Sequence, residues 1–324
     1  MKALLCKRHG LPDTLVVEEV ADPVPGKGEV VVAMKAAGVN FPDVLIIQDK
    51  YQFKPALPFA PGAELAGVVE SVGEGVTKVK AGDRVMGSTG HGAFAEKVLV
   101  SADKLIPIPD AIGFDVAAAF TLTYGTSWHA LKDRGALAAG ETLLVLGAAG
   151  GVGLAAIEIG KVLGARVIAA ASSAEKLAVC KAHGADALID YGKEDLREAI
   201  KALTAGKGPD VVYDPVGGSF AEPAFRSIGW RGRYLVIGFA NGEIPRLPLN
   251  LTLLKGASIV GVFWGSYVAR EPEAFAADIA TMFGHIANGT LRPHVSARYP
   301  LAQGARALED LMNRKAIGKI LITP

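Results

Sequence analysis

The sequence predicts an α/β protein in which a β-rich, barrel-like region is followed by a doubly wound parallel sheet. Three features predict it. Up to about residue 120 the chain is a series of short β-like runs punctuated by Gly and Pro. From Glu141 onward, short apolar runs alternate with segments of helical spacing. Between the first of these runs and the helix behind it lies a glycine-rich turn, Gly147–Gly153.

In the first region Leu15–Val20, Glu29–Lys35, Leu65–Val72, Arg84–Met86 and Ala95–Val100 read as strands. Turns such as Pro25-Gly26-Lys27-Gly28 and Lys80-Ala81-Gly82-Asp83 separate them. Phe114 to Asp133 reads as helical. The alternation then runs through Thr142–Leu146, the helix Val152–Leu163, the strand Arg166–Ala171 and the helix Ala174–His183. Ala187–Asp190, Val211–Asp214, Arg233–Ile237 and Ser258–Val262 continue the strands. These runs are apolar throughout, as expected of strands covered on both faces. After Trp264 come one clear helix, Pro272–Ala287, and a strand-like tail, Gly318–Thr323. The tail is too short for a domain and is expected to return to the first region. That gives a first domain of residues 1–120 completed by 266–324, and a second of residues 121–265 inserted into it.

A chain of 324 residues is expected to hold about two domains. Half its residues are hydrophobic, enough for sizeable cores, and its net charge of +1 favours neither nucleic acid nor an anionic membrane as partner. Its two cysteines, Cys6 and Cys180, cannot supply a four-thiolate zinc site. The start is too short an apolar run for a signal peptide, and no stretch reaches the ~18 apolar residues of a membrane span. The expectation is a soluble, reduced, cytoplasmic protein.

The turn Gly147-Ala148-Ala149-Gly150-Gly151-Val152-Gly153 has the context that dinucleotide binding requires, with a strand before it, a helix after it and a second strand further on. An ordinary strand-to-helix turn is the plainer alternative. Gly150 and Gly151 let the backbone approach a pyrophosphate. Gly153 lets the helix pack closely, and the helix N-terminus attracts the anion. In an NAD site an acid at the end of the second strand holds the ribose hydroxyls. Here that strand ends Ala171-Ser172-Ser173 with no acid, and Lys176 follows. Small hydroxyls and a cation suit a 2′-phosphate, so the pattern favours NADPH over NADH. Ser172 and Ser173 also suit a helix cap, and both roles are compatible.

Further segments carry a resemblance. Ala36-Ala37-Gly38-Val39-Asn40-Phe41-Pro42-Asp43, Pro61-Gly62-Ala63-Glu64-Leu65-Ala66-Gly67-Val68-Val69, Thr123-Tyr124-Gly125-Thr126-Ser127-Trp128-His129-Ala130-Leu131, the glycine turn, Asp214-Pro215-Val216-Gly217-Gly218 and Gly318-Lys319 span nearly the full length. Together they resemble the zinc-independent quinone oxidoreductase (zeta-crystallin-like) branch of the medium-chain dehydrogenase/reductase superfamily. The resemblance implies a GroES-like catalytic domain, a Rossmann nucleotide domain and a cofactor in the cleft between them. Zinc-dependent relatives have a catalytic Cys at the position of Asn40 and a His at that of Ala63, and an amide and a methyl replace neither ligand. His91 and His129 sit in no ligand-like cluster and read as structural or exposed.

Carried over residue by residue, the resemblance places Asn40, Asp43 and Tyr51 around the substrate and nicotinamide. Thr126 would touch the nicotinamide side, and Gly150, Gly151, Val152 and Gly153 the pyrophosphate. Ser172, Ser173, Lys176 and Tyr191 would flank the adenosine phosphate. Phe239, Phe263, Trp264 and Gly265 would line the nicotinamide pocket, Gly217 would contact the cofactor, and Arg314 and Lys319 would reach in from the tail. Against this, Tyr191 reads equally as a strand-end aromatic, Phe263 and Trp264 as core or dimer contacts, and Arg314 as a solvated helix end. The implied reaction is hydride transfer from NADPH to a quinone, a conjugated acceptor that needs no Lewis acid, with Tyr51 or Asn40 donating a hydrogen bond to its oxygen. Reduction of an activated C=C bond in an enal, enone or enoyl thioester uses the same geometry. A binding protein with little catalysis is the reading from another class. The branch also implies a homodimer paired through the sheet edge at Ser258–Val262.

Overall fold

Strands form where β-branched runs meet glycine and proline stops in the computed structural model, which describes all 324 residues. The chain begins with β1 (Lys2–Leu5), β2 (Val16–Glu19), β3 (Glu29–Val39), the short helix α1 (Phe41–Ile46), β4 (Glu64–Val72), β5 (Arg84–Ser88), β6 (Lys97–Ser101), β7 (Leu105–Pro107) and α2 (Phe114–Ala118). The alternating part follows as α3 (Thr121–Trp128), β8 (Thr142–Val145), α4 (Gly151–Val162), β9 (Arg166–Ala171), α5 (Ala174–Ala182), β10 (Ala187–Asp190), α6 (Leu196–Leu203), β11 (Val211–Asp214), α7 (Ala221–Ser227), β12 (Arg233–Val236), α8 (Asn250–Lys255), β13 (Ser258–Gly261), α9 (Trp264–Arg270) and α10 (Pro272–Ala287). The chain ends with β14 (Val295–Pro300), α11 (Gly304–Met312) and β15 (Lys319–Thr323).

Two units result, Met1–Leu122 with Pro293–Pro324, and Thr123–Arg292. In the first, β14-β15-β3-β4-β5-β7 form a sheet in that order, with β6 pairing on β3. The strand expected over Glu29–Lys35 continues to Val39, because Ala37, Gly38 and Val39 pair with Ile322, Leu321 and Ile320 of β15. Only glycine serves at position 38, since a Cβ there would lie 2.3 Å from the carbonyl oxygen of Ala118. The core gathers Leu4, Val32, Met34, Leu65, Phe94 and Ile322, and Tyr51 packs partly buried against it.

In the second unit six parallel strands follow the order β10-β9-β8-β11-β12-β13. Counted along the chain this is 3-2-1-4-5-6, the Rossmann order. The central strands are buried along nearly their whole length, as their unbroken apolar sequence predicts. β13 is the edge, and Ser258 and Ile259 are exposed.

Two features differ from the sequence reading. The helix expected over Phe114–Asp133 is three pieces, α2, α3 and a wide turn over His129–Arg134, with a break after Ala118. Residues 266–292 lie in the second unit rather than with the first. Their anchor is Asp278 of α10, which accepts hydrogen bonds from Trp128 Nε1 (3.0 Å) and Tyr267 Oη (2.7 Å). No helix is long and apolar enough to cross a membrane.

Candidate active site

The second unit builds a cradle out of backbone. β8 and β11 are neighbours, but the chain leaving β8 goes on to β9 and the chain leaving β11 goes on to β12, which opens a crevice beyond their carboxyl ends. The glycine turn occupies that position. Gly147 takes φ +56°, and a Cβ on Gly153 would sit 2.6 Å from the carbonyl oxygens of Gly147 and Ala148. Gly150 caps α4 in extended conformation, and Gly151 and Val152 open the helix. The amide N–H groups of such a first turn face outward with the positive end of the dipole, the chemistry that holds a pyrophosphate. Behind the turn, Ser127 Oγ donates to the Val152 carbonyl (3.0 Å) and meets Tyr213 Oη at 2.8 Å.

Beside it the loops after β11 and β12 are zipped together. Asp214, buried at the end of β11, accepts the N–H groups of Val216 (2.7 Å) and Gly217 (2.9 Å) and the hydroxyl of Tyr234. Burial pushes its carboxyl above the usual range. Gly217 adopts φ +67°, and a Cβ there would meet the Phe239 ring at 2.9 Å, so these two sequence-predicted residues are in contact.

At the end of β9 the expected phosphate group of residues is also brought together. Lys176 Nζ donates to Ser172 Oγ (3.3 Å), and Ser173 caps α5 by accepting the Lys176 N–H (3.4 Å). Tyr191 follows β10, its N–H bonded to Ala171 O (3.1 Å) and its ring 4.5 Å from that of Phe220. Two acids are nearby: Glu175 is exposed on α5, and Asp190, paired with Ala171 at the end of β10, accepts the Gly192 N–H at 3.1 Å.

The first unit holds a cluster of side chains instead. Lys319 Nζ, buried at the start of β15, donates to Asn40 Oδ1 (2.6 Å), Glu64 Oε2 (3.0 Å) and Val39 O (3.1 Å). Asn40 Nδ2 donates to Glu64 Oε2 (3.0 Å) and Gly38 O (3.1 Å). The other Glu64 oxygen accepts the Leu122 N–H at 2.8 Å. Asp43, on the first turn of α1, accepts the Asn40 N–H at 2.8 Å. Burial raises the Asp43 carboxyl to about 7, against the opposing pull of the Asn40 N–H and the Lys319 charge. Tyr51 is half-buried, and burial together with the Asp43 charge holds its hydroxyl above the ordinary value.

Asn40, Asp43 and Lys319 are thus one buried group, in which the Lys319 ammonium bonds Asn40, Glu64 and Val39 of the first unit. Sequence reading assigned Lys319 to the cofactor and missed Glu64 as a member. The available signal was an acid inside the apolar run Ala63-Glu64-Leu65-Ala66, which a buried strand tolerates only when the charge is paired. Arg314 is exposed after α11 at φ +58°. Thr126 is buried in α3. Trp264 is buried against the Gly125 backbone and Phe275, which makes it a core contact of the second unit, while its neighbours Phe263 and Gly265 are exposed.

Residues 26–110 match the alcohol dehydrogenase GroES-like domain, and residues 151–282 match a family described as zinc-binding dehydrogenase. The chain is 38% identical to a quinone oxidoreductase-like protein 2 homolog of Nematostella vectensis, across 99% of this chain and 88% of that one. It is 37% identical to a quinone oxidoreductase of Pseudomonas aeruginosa, across 98% and 97%. The crystal structure of the Escherichia coli quinone oxidoreductase complexed with NADPH superposes with a TM-score of 0.95 at 33% identity, covering all of both chains.

Proposed function

The chain belongs to the quinone oxidoreductase branch of the medium-chain dehydrogenase/reductase superfamily, and from that premise we propose that it reduces a quinone with hydride from NADPH and without zinc. It is an NADPH-dependent oxidoreductase. The residues fit that cofactor. The Gly150–Gly153 turn, which a Cβ at Gly153 would disrupt, would hold the pyrophosphate, and Ser172 with Lys176 the 2′-phosphate. When bound, NADPH supplies the hydride.

The observation that carries the zinc-free reading is the state of Asn40. Its oxygen accepts from Lys319 and its nitrogen donates to Glu64 and Gly38, so both ends of the amide are committed. Ala63 has no donor atom. A committed amide and a methyl are not a donor set that holds zinc. A quinone, already conjugated, accepts hydride without Lewis-acid help. Tyr51, its proton held by burial and by Asp43, donates a hydrogen bond to the acceptor oxygen as negative charge develops there. The exposed edge β13, with Ile259 and the 59%-exposed Phe263, supports pairing with a second copy, since unpaired strand edges are covered in stable proteins. The cytoplasm is the compartment consistent with buried, free Cys6 and Cys180.

Steady-state rates with NADPH against benzoquinone, an enone and a crotonyl thioester, with and without a strong zinc chelator, test the proposal. The expected result is fastest turnover of the quinone, unaffected by chelator. Faster turnover of the enone or thioester would move the acceptor to a C=C bond, and loss of rate on chelation would end the zinc-free reading. With Tyr51→Phe, kcat on the quinone is expected to fall by about tenfold, the loss of one hydrogen bond to developing charge.

A further inference from the structure

The second unit has a pocket at the amino-terminal ends of β11, β12 and β13, the opposite end of the sheet from the glycine turn. Its volume is about 480 Å³, within the range of small-molecule sites. Five cations line it, Arg197, Lys201, Lys207, Arg226 and Lys255, against the single carboxylate of Glu198. That is a steep local excess in a chain whose net charge is +1.

Helix dipoles account for part of this. Lys201, Arg226 and Lys255 stand in the last turns of α6, α7 and α8, where a cation is favoured. They do not account for Arg197 in the first turn of α6, where the dipole opposes a cation, nor for Lys207 in the following loop. Arg226 is neutralised by Glu222 at 2.6 Å, and Lys255 Nζ donates to Ile228 O at 3.0 Å. Arg197, Lys201 and Lys207 have no ion-pair partner. Burial, with a smaller contribution from the Arg197 charge, pushes the Lys255 ammonium below its ordinary value.

An aromatic shelf stands at the rim. Trp230 is 72% exposed, whereas the other two tryptophans, Trp128 and Trp264, are buried. Its ring lies over the backbone of Gly256, where φ is +57° and a Cβ would come within 3.2 to 3.4 Å of three ring carbons. Trp230 thus lines the same pocket as the three unpaired cations with most of its surface exposed. A planar ring stacks on such a face, and phosphate oxygens match Arg and Lys in a concave setting.

We propose that this pocket is a second ligand site, for a nucleoside phosphate whose base stacks on Trp230 and whose phosphates are held by Arg197, Lys201 and Lys207. A concave pocket with cations in its walls suits a small anion better than the plane of a lipid surface. The site is independent of the hydride chemistry, since none of its residues belongs to the glycine turn or to the Asn40 cluster.

The test is calorimetric titration of adenosine diphosphate, and separately of inorganic pyrophosphate, into full-length protein already saturated with NADP⁺. The expected result is one further binding event, weakened at least about tenfold in the double variant Arg197→Ala/Lys207→Ala. Trp230→Ala is expected to weaken adenosine diphosphate while leaving pyrophosphate unchanged. Quinone turnover confirms that each variant is folded. Absence of a further event, or equal affinity in the double variant, would overturn the proposal. So would binding of anionic phosphatidylserine vesicles, lost in the double variant, where adenosine diphosphate does not bind.

Discussion

The candidate residues fall into two halves, one in each unit, and the two are made of different material. In the second unit the cradle is main chain, with Gly147, Gly150 and Gly153 giving close approach, and Asp214 fixing the neighbouring loop through the N–H groups of Val216 and Gly217. In the first unit it is side chain, with Asn40, Asp43, Glu64 and Lys319 joined across as many as 279 residues of sequence. A backbone cradle tolerates changes of side chain but not an added Cβ at the wrong place. A buried ionic cluster tolerates neither a change of its side chains, because its energy rests on every charge being paired, nor a Cβ at Gly38, which would lie 2.6 Å from Glu64 Oε2.

The largest effect is expected from breaking the side-chain half. Lys319→Met leaves Glu64 buried without its cation and is expected to cost about 3–5 kcal/mol of stability, read from the denaturant midpoint. Adding Glu64→Leu should return much of that loss. An unchanged midpoint in the single variant would show that the cluster does not hold the first unit together.

A second, pH-dependent effect sharpens the same half. Folded Asp43 takes up its proton near pH 7, against 3.8 for the free side chain. Between those values the folded state binds more protons than the unfolded chain, so stability falls as pH rises from about 4 to about 7 and is level on this account above that. The slope is at most about 1.4 kcal/mol per pH unit. Denaturant midpoints across that window should lose this component in Asp43→Asn. An identical slope in the variant would remove Asp43 as its source.

The smallest effect concerns the edge of the backbone half, where one side chain does matter. Lys176→Ala is expected to weaken NADPH by about tenfold and leave NADH unchanged, because only the 2′-phosphate loses a charged partner. Equal losses for both cofactors in a fluorescence titration would show that Lys176 acts through the fold of α5.

Read along the chain, local features transferred well. Every strand of the parallel sheet was visible as an apolar run, and Pro272–Ala287 matches α10 in both its limits. Short elements were missed, among them β1, β7, β14 and the helix α1, since a run of three to six residues carries too little periodicity to stand out. Ser172, Ser173 and Lys176 lie within one turn of each other, and the structure brings them together as the sequence suggested. Trp264 was ambiguous in sequence, because an aromatic next to a strand serves a pocket or a core equally well, and its packing on Gly125 and Phe275 makes it core.

The sequence by itself determined the glycine turn of the second unit, because a turn between strand and helix is a local arrangement and the motif is the backbone itself. It also carries the zinc-free proposal, since the amide of Asn40 and the methyl of Ala63 are not the thiolate and imidazole that hold zinc, a matter of atom type. Only the tertiary structure decided what Lys319 does. Pairing of β15 with β3 sets its ammonium beside Asn40 and Glu64, and desolvation there makes the three groups hold one another. A partnership formed by burial across a sheet has no trace in spacing along the chain.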